Sequence, residues 1–98
     1  MNESNLSDVA LAELLTLNMK VDSRGNTAYR NQLDQVHRTH GPAMVFSNGT
    51  KRWYQNGLLH RTDGPAIVWA NGDQEWWLGG YYMSQREFDH RIKLEKVY

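Results

Sequence analysis

The sequence predicts a mostly β (α+β) fold in which tandem antiparallel β-hairpin repeats form a small twisted sheet or solenoid, with a helix at each end. Three observations carry this reading. The run "HRTHGPAMVFSNGTKRWY" from His37 returns as "HRTDGPAIVWANGDQEWW" from His60, a period of 23, and eleven of the 23 aligned pairs over residues 37–59 and 60–82 are identical. Identity concentrated in turn formers and one tryptophan is the mark of a repeated supersecondary unit. Asn-Gly sits between apolar runs in the middle of each copy, the best short-range hairpin signal. Helix-start residues stand on both flanks of the repeat.

Taken in order, residues 7–19 suit an amphipathic helix, with Ser7 as N-cap, Asp8 in the first turn and Leu11, Leu14, Leu15 and Leu17 as apolar positions. Residues 20–83 hold two and a half hairpins. The half copy is "RGNTAYRNQLDQVHR", in which Gly25, Tyr29 and Gln32 align with Gly49, Trp53 and Asn56 if one residue is inserted before His37; only its return strand is expected. In the full copies the first strand is "PAMVF" or "PAIVW", with Pro42 and Pro65 at the strand start, where a missing N–H disturbs no ladder. Type I′ turns are expected at Asn48-Gly49 and Asn71-Gly72, followed by return strands "KRWYQ" and "QEWWL". Between copies, the "HRTDG" turn is expected to use the Asp63 carboxylate as an acceptor for backbone N–H groups, with Arg61 balancing its charge and Gly64 opening the next strand. His40 takes the place of that aspartate in the first copy. Ser84 and Glu87 form a capping box for a C-terminal capping helix over residues 84–96, with Phe88 and Ile92 on successive turns. Stacked hairpins share a core that one alone lacks, and end helices shield sheet edges. The expectation is helix, five or six strands, helix, in a single domain over residues 1–98.

Composition narrows the function. Eleven basic and eleven acidic residues cancel, so no global field attracts nucleic acid or an anionic membrane. The middle of the chain is nevertheless locally basic: residues 35–62 carry Arg38, Lys51, Arg52 and Arg61 and no acid. With no cysteine, disulfides and thiolate chemistry are excluded and a cytoplasmic location is expected. The N-terminal stretch has neither a basic n-region nor a long apolar run, so no signal peptide or membrane anchor is expected.

The second copy, through His60, Arg61, Asp63, Gly64, Pro65, Ala66, Asn71, Gly72, Glu75, Trp76 and Gly80, resembles the "HR-x-DGPA…NG…EWY-x-NG" repeat proteins of tailed bacteriophages and giant viruses, which are distantly MORN-like. The resemblance covers residues 20–83, and the "S-x-x-E-F" start at Ser84 is similar too. It departs from the pattern at His40, where an acidic residue is usual, and at Gly79, where Asn56 keeps the usual asparagine. It implies a small phage or prophage accessory protein in the cytoplasm of the bacterial host cell, one that interferes with host machinery, such as an inhibitor of a CRISPR-type anti-phage defence factor. It implies no common catalytic activity.

Within the repeat, His37, Arg38, Trp53, His60, Arg61, Asp63, Gly64 and Trp76 are assigned structural duties, because equivalent positions in adjacent copies do identical work. A metal-dependent hydrolase on His37, His60 and Asp63 ranks last, His40 and His90 adding no ligand spacing; no cofactor, metal or catalytic residue is assigned. Strand alternation puts Trp53 and Trp76 on one face and Arg52, Tyr54, Glu75 and Trp77 on the other. The partner-binding candidates are therefore Lys51, Arg52, Tyr54, Glu75, Trp77, Tyr81 and Tyr82, with Arg52 and Glu75 as cross-strand partners, because Tyr, Trp and Arg dominate interface hot spots. The expected activity is non-enzymatic binding of a host or phage protein. A second copy of the chain is a further candidate, and single-stranded nucleic acid on Lys51, Arg52, Trp53, Tyr54 and Arg61 is the alternative.

Overall fold

The computed structural model describes residues 8–97. They form an α+β protein: α1 (Asp8–Thr16), nine short strands and α2 (Gln85–Val97), so a helix stands at each end. The strands are β1 (Asn18–Val21), β2 (Thr27–Arg30), β3 (Met44–Val45), β4 (Lys51–Arg52), β5 (Tyr54–Gln55), β6 (Leu58–Leu59), β7 (Ile67–Val68), β8 (Gln74–Leu78) and β9 (Tyr81–Met83). Seven make one antiparallel sheet in the order β1-β2-β3-β4-β7-β8-β9, and β5-β6 make a separate two-stranded sheet. Ser7, the expected N-cap, lies outside the described residues.

Several expectations are corrected. The first helix stops at Thr16, and Asn18 and Met19 belong to a strand that pairs with β2 from Asn18↔Arg30 to Val21↔Thr27. Residues 18–30 thus form a whole hairpin, with both strands, where only a return strand was expected. Its reason is local: Asp22 Oδ1 accepts the Arg24 and Asn26 N–H groups (2.8 and 3.0 Å), which builds a turn that returns the chain onto Asn18–Val21.

The Asn-Gly turns also differ in type. Gly49 N–H donates to Phe46 O (2.9 Å) and Phe46 N–H to Thr50 O (2.8 Å), which closes a three-residue loop with left-handed backbone at Gly49 alone (φ 98°). The same pair of bonds recurs at Gly72 to Trp69 and Trp69 to Asp73. This is a turn followed by a glycine bulge, for which one positive φ suffices. Asn48 and Asn71 use their side chains instead, accepting the Thr50 and Asp73 N–H groups (both 2.9 Å). The two-residue turn with both residues left-handed is Asn56-Gly57 (φ 51° and 83°) between Tyr54↔Leu59 and Gln55↔Leu58, matched by Gly79-Gly80 (φ 56° and 86°) between β8 and β9.

The return strand over residues 51–55 is interrupted at Trp53. Lys51 and Arg52 pair with β3 and β7, whereas Tyr54 and Gln55 turn away to pair with β6. In the last copy β8 stays continuous, its first part on β7 and its last on β9. The core is thin. Ala43 and Ala66, 23 positions apart, are fully buried, joined by Ala10, Ile67, Phe88 and the polar Thr50. No large described side chain is wholly enclosed, so the big rings are covered only in part, by each other and by arginines.

Candidate partner-binding face

Register decides which side chains share a face. Met44↔Arg52, Arg52↔Ile67 and Ile67↔Glu75 run in one row across β3, β4, β7 and β8, and residues directly opposite each other point the same way. Arg52 and Glu75 are therefore not partners, as the sequence suggested; β7 lies between them. Phe46, Trp69 and Trp77, two residues along from members of this row, complete a stripe. The Arg52 guanidinium lies over Phe46 at 5.0 Å and over Trp69 at 5.4 Å. The Glu75 carboxylate accepts the indole N–H of both Trp69 (2.8 Å) and Trp77 (3.0 Å). Trp77 then meets Tyr82 edge to face, with centroids 5.5 Å apart at 65°. Cation, anion and rings alternate, so each half-buried ring has a partner of fitting polarity.

The expected site residues are distributed unevenly over this geometry. Arg52, Glu75 and Trp77 lie in the stripe, each half-buried. Tyr82, 63% exposed, ends it; Tyr81, 76% exposed, pairs with Leu78 and belongs to the opposite face, apart from the row expected of it. Lys51 is exposed but shares the opposite face with Val45, Val68 and Gln74. Tyr54 is half-buried in the two-stranded sheet, so Tyr54 and Trp77 do not form the continuous row expected of them. Phe46 and Trp69 belong to the stripe without being among the expected site residues, although both end an apolar strand at the same position of the repeat, which is signal enough to group them.

The residues given structural duties join neighbouring copies. His37 Nδ1 accepts Asn56 N–H (2.9 Å) and His60 Nδ1 accepts Gly79 N–H (2.8 Å), the same bond 23 residues on. A ring nitrogen that accepts is unprotonated, so in each neutral ring the hydrogen sits on Nε2. That tautomer turns a donor, not a lone pair, toward any metal, and among the described residues no group of three or more ligand side chains is placed to hold one. Arg38 covers Tyr29 at 4.3 Å and Arg61 covers Trp53 at 3.9 Å, and each donates to a proline carbonyl, Pro42 or Pro65. Each of these guanidinium groups occupies one face of its ring. Trp76, half-buried on β8, pairs in register with Met83.

Asp63 holds Arg61 Nε (2.7 Å) and, among the described residues, no backbone amide, contrary to expectation. In the first copy the carboxylate comes from α1: Glu13 accepts Thr39 N–H at 2.7 Å and His40 N–H at 3.1 Å, with His40 Nδ1 at 3.4 Å and His37 Nε2 at 3.7 Å. Burial pushes the Glu13 carboxyl up, but the hydrogen bonds from Thr39 and His40 together outweigh it and hold the group below its ordinary value. The two turns and the Trp53 and Gln55 side chains line a groove of about 400 Å³ between the copies.

Comparisons with known protein families, with curated proteins and with solved structures find no match to this chain. Among the described residues, neither helix is long and apolar enough to cross a membrane.

Proposed function

We propose that this chain is a non-enzymatic protein-binding module, built as tandem hairpin repeats, that docks a protein partner on the stripe ending at Tyr82. One observation carries the reading: Tyr82, 63% exposed, stands on β9 edge to face with Trp77, whose indole Glu75 fixes. An exposed tyrosine next to a rigid ring supplies contact area at little entropic cost, the chemistry of interface anchors. The zero net charge fits an interface that works by short-range contact rather than long-range steering. The resemblance of the repeat to phage proteins supports a host or phage protein as partner, with inhibition of a host anti-phage factor in the bacterial cytoplasm as the biological role.

The test is capture from bacterial lysate with the tagged chain, a Tyr82→Ala variant and a Leu33→Ala control. Leu33 is 78% exposed and lies outside the stripe. A partner retained by the wild type and the control but lost by the tyrosine variant, with all three melting alike, is the expected result. Retention by all three would remove the stripe from the interface.

A further inference from the structure

The two "HRT" turns repeat each other closely. Each arginine donates to the carbonyl four residues on (3.4 and 3.1 Å), and each guanidinium carbon lies about where a Cβ on the following glycine would touch it, 3.0 Å at Gly41 and 2.9 Å at Gly64. Each histidine fixes its tautomer on the amide 19 residues ahead. The first turn binds a carboxylate, that of Glu13, through the Thr39 and His40 amides with His37 Nε2 alongside. The second turn carries the corresponding donors, Thr62 N–H, Asp63 N–H and His60 Nε2–H, and no acceptor from the described residues meets them.

We propose that the His60–Asp63 turn is a carboxylate-recognition site, taking a glutamate or aspartate side chain of a protein partner as the first turn takes Glu13. The proposal rests on the protein-binding reading and names the chemistry of the partner. Two adjacent backbone amides give a carboxylate short, charge-assisted hydrogen bonds, the same grip seen at Glu13. The charged groups around the turn favour an anion. Arg61 and Arg38 both line the groove with His60 and His40, and the one acid, Asp63, has its carboxylate bound by Arg61 Nε. Asp63 is the residue that opposes the ligand, standing where His40 supports Glu13. It sets the difference between the two turns.

The test uses the full chain alone, so it stands or falls apart from partner capture. Amide ¹H–¹⁵N shifts are followed during titration with sodium acetate, and separately with an alanine-based helical peptide carrying one glutamate. Thr62 and Asp63 should move in a saturable way while Thr39 and His40, already held by Glu13, stay in place; sodium chloride at equal ionic strength should reproduce neither effect. The peptide should bind about tenfold more tightly than acetate, because the helix adds contacts to the same grip. Asp63→His, which copies the first turn, should tighten both several-fold. Thr62 and Asp63 shifts no larger than those of the chloride control, or no gain in Asp63→His, would overturn the site. Acetate binding as tightly as the peptide would overturn the assignment of the carboxylate to a protein.

Discussion

Arg61 makes three contacts through one side chain. It covers Trp53, binds Asp63 through Nε at 2.7 Å and reaches the Pro65 carbonyl at 3.1 Å, and its guanidinium lies so close to Gly64 that a Cβ there would sit 2.9 Å from it. Arg61→Lys keeps the charge but gives up the planar stacking and the fork. Its loss should be about 1–2 kcal/mol in urea unfolding. Arg38→Lys should lose less, because Arg38 Nε is buried with no partner among the described residues where Arg61 Nε has Asp63; equal losses would mean that Asp63 adds nothing. Glu13 is the second residue on which a junction depends. Its carboxyl is lowered in the fold, so the contact contributes stability that is fully present above the unfolded value near 4.5 and is lost as pH falls through the folded one. Acid titration of the melting temperature should show this decline, and Glu13→Gln should flatten it; an unchanged acid limb in the variant would refute the assignment.

Turns reveal what an element's sequence can and cannot specify. Gly79 (φ 56°) and Asn56 (φ 51°) occupy the same place in equivalent two-residue turns, and a Cβ at Gly79 would meet nothing within 4 Å. Asparagine tolerates this left-handed backbone, so Gly79→Asn should restrict the unfolded chain more than it strains the fold and stabilise by about 0.4–1 kcal/mol. A thermal melt should rise by ~2–6 °C; a fall would show that the β8–β9 turn differs from its counterpart. That Asn-Gly marks turns was legible from the residues alone. Which Asn-Gly makes the two-residue turn was not, because turn type follows from where the ladder resumes, and that depends on the neighbouring strand. The same holds for Trp53, whose strand breaks because Tyr54 finds β6 while Arg52 stays with β7. The repeat period exposed the equivalence of His37 with His60 and of Arg38 with Arg61. Nothing in the sequence pointed to Glu13, whose partners Thr39 and His40 lie 26 and 27 residues away on a different element.

Across the whole molecule, the small buried set makes stability a matter of junctions between neighbours. Ala43 and Ala66 leave room for strands to approach, but alanines bury little apolar area, and the one large described ring close to full burial is Phe88 at 5% exposure, on the helix that packs against β8. No further "HR" turn follows β9, since Ser84 stands 23 positions after Arg61, so α2 takes over the end of the sheet. Deleting a buried phenylalanine side chain costs about 3–5 kcal/mol, a large share of what a domain of this size has. Where copies contact mainly their neighbours, that loss should be felt most at the adjacent end. In Phe88→Ala, amide exchange in β8 and β9 should accelerate about a hundredfold, the equivalent of some 3 kcal/mol, while the amides of Tyr29 and Ala43, across the sheet, accelerate much less. Because β8 and β9 carry Trp77, Tyr81 and Tyr82, the same variant should weaken partner capture without touching the stripe itself. Uniform acceleration from β2 to β9 would instead show one cooperative sheet, in which the second copy of the motif adds area but no independent unit.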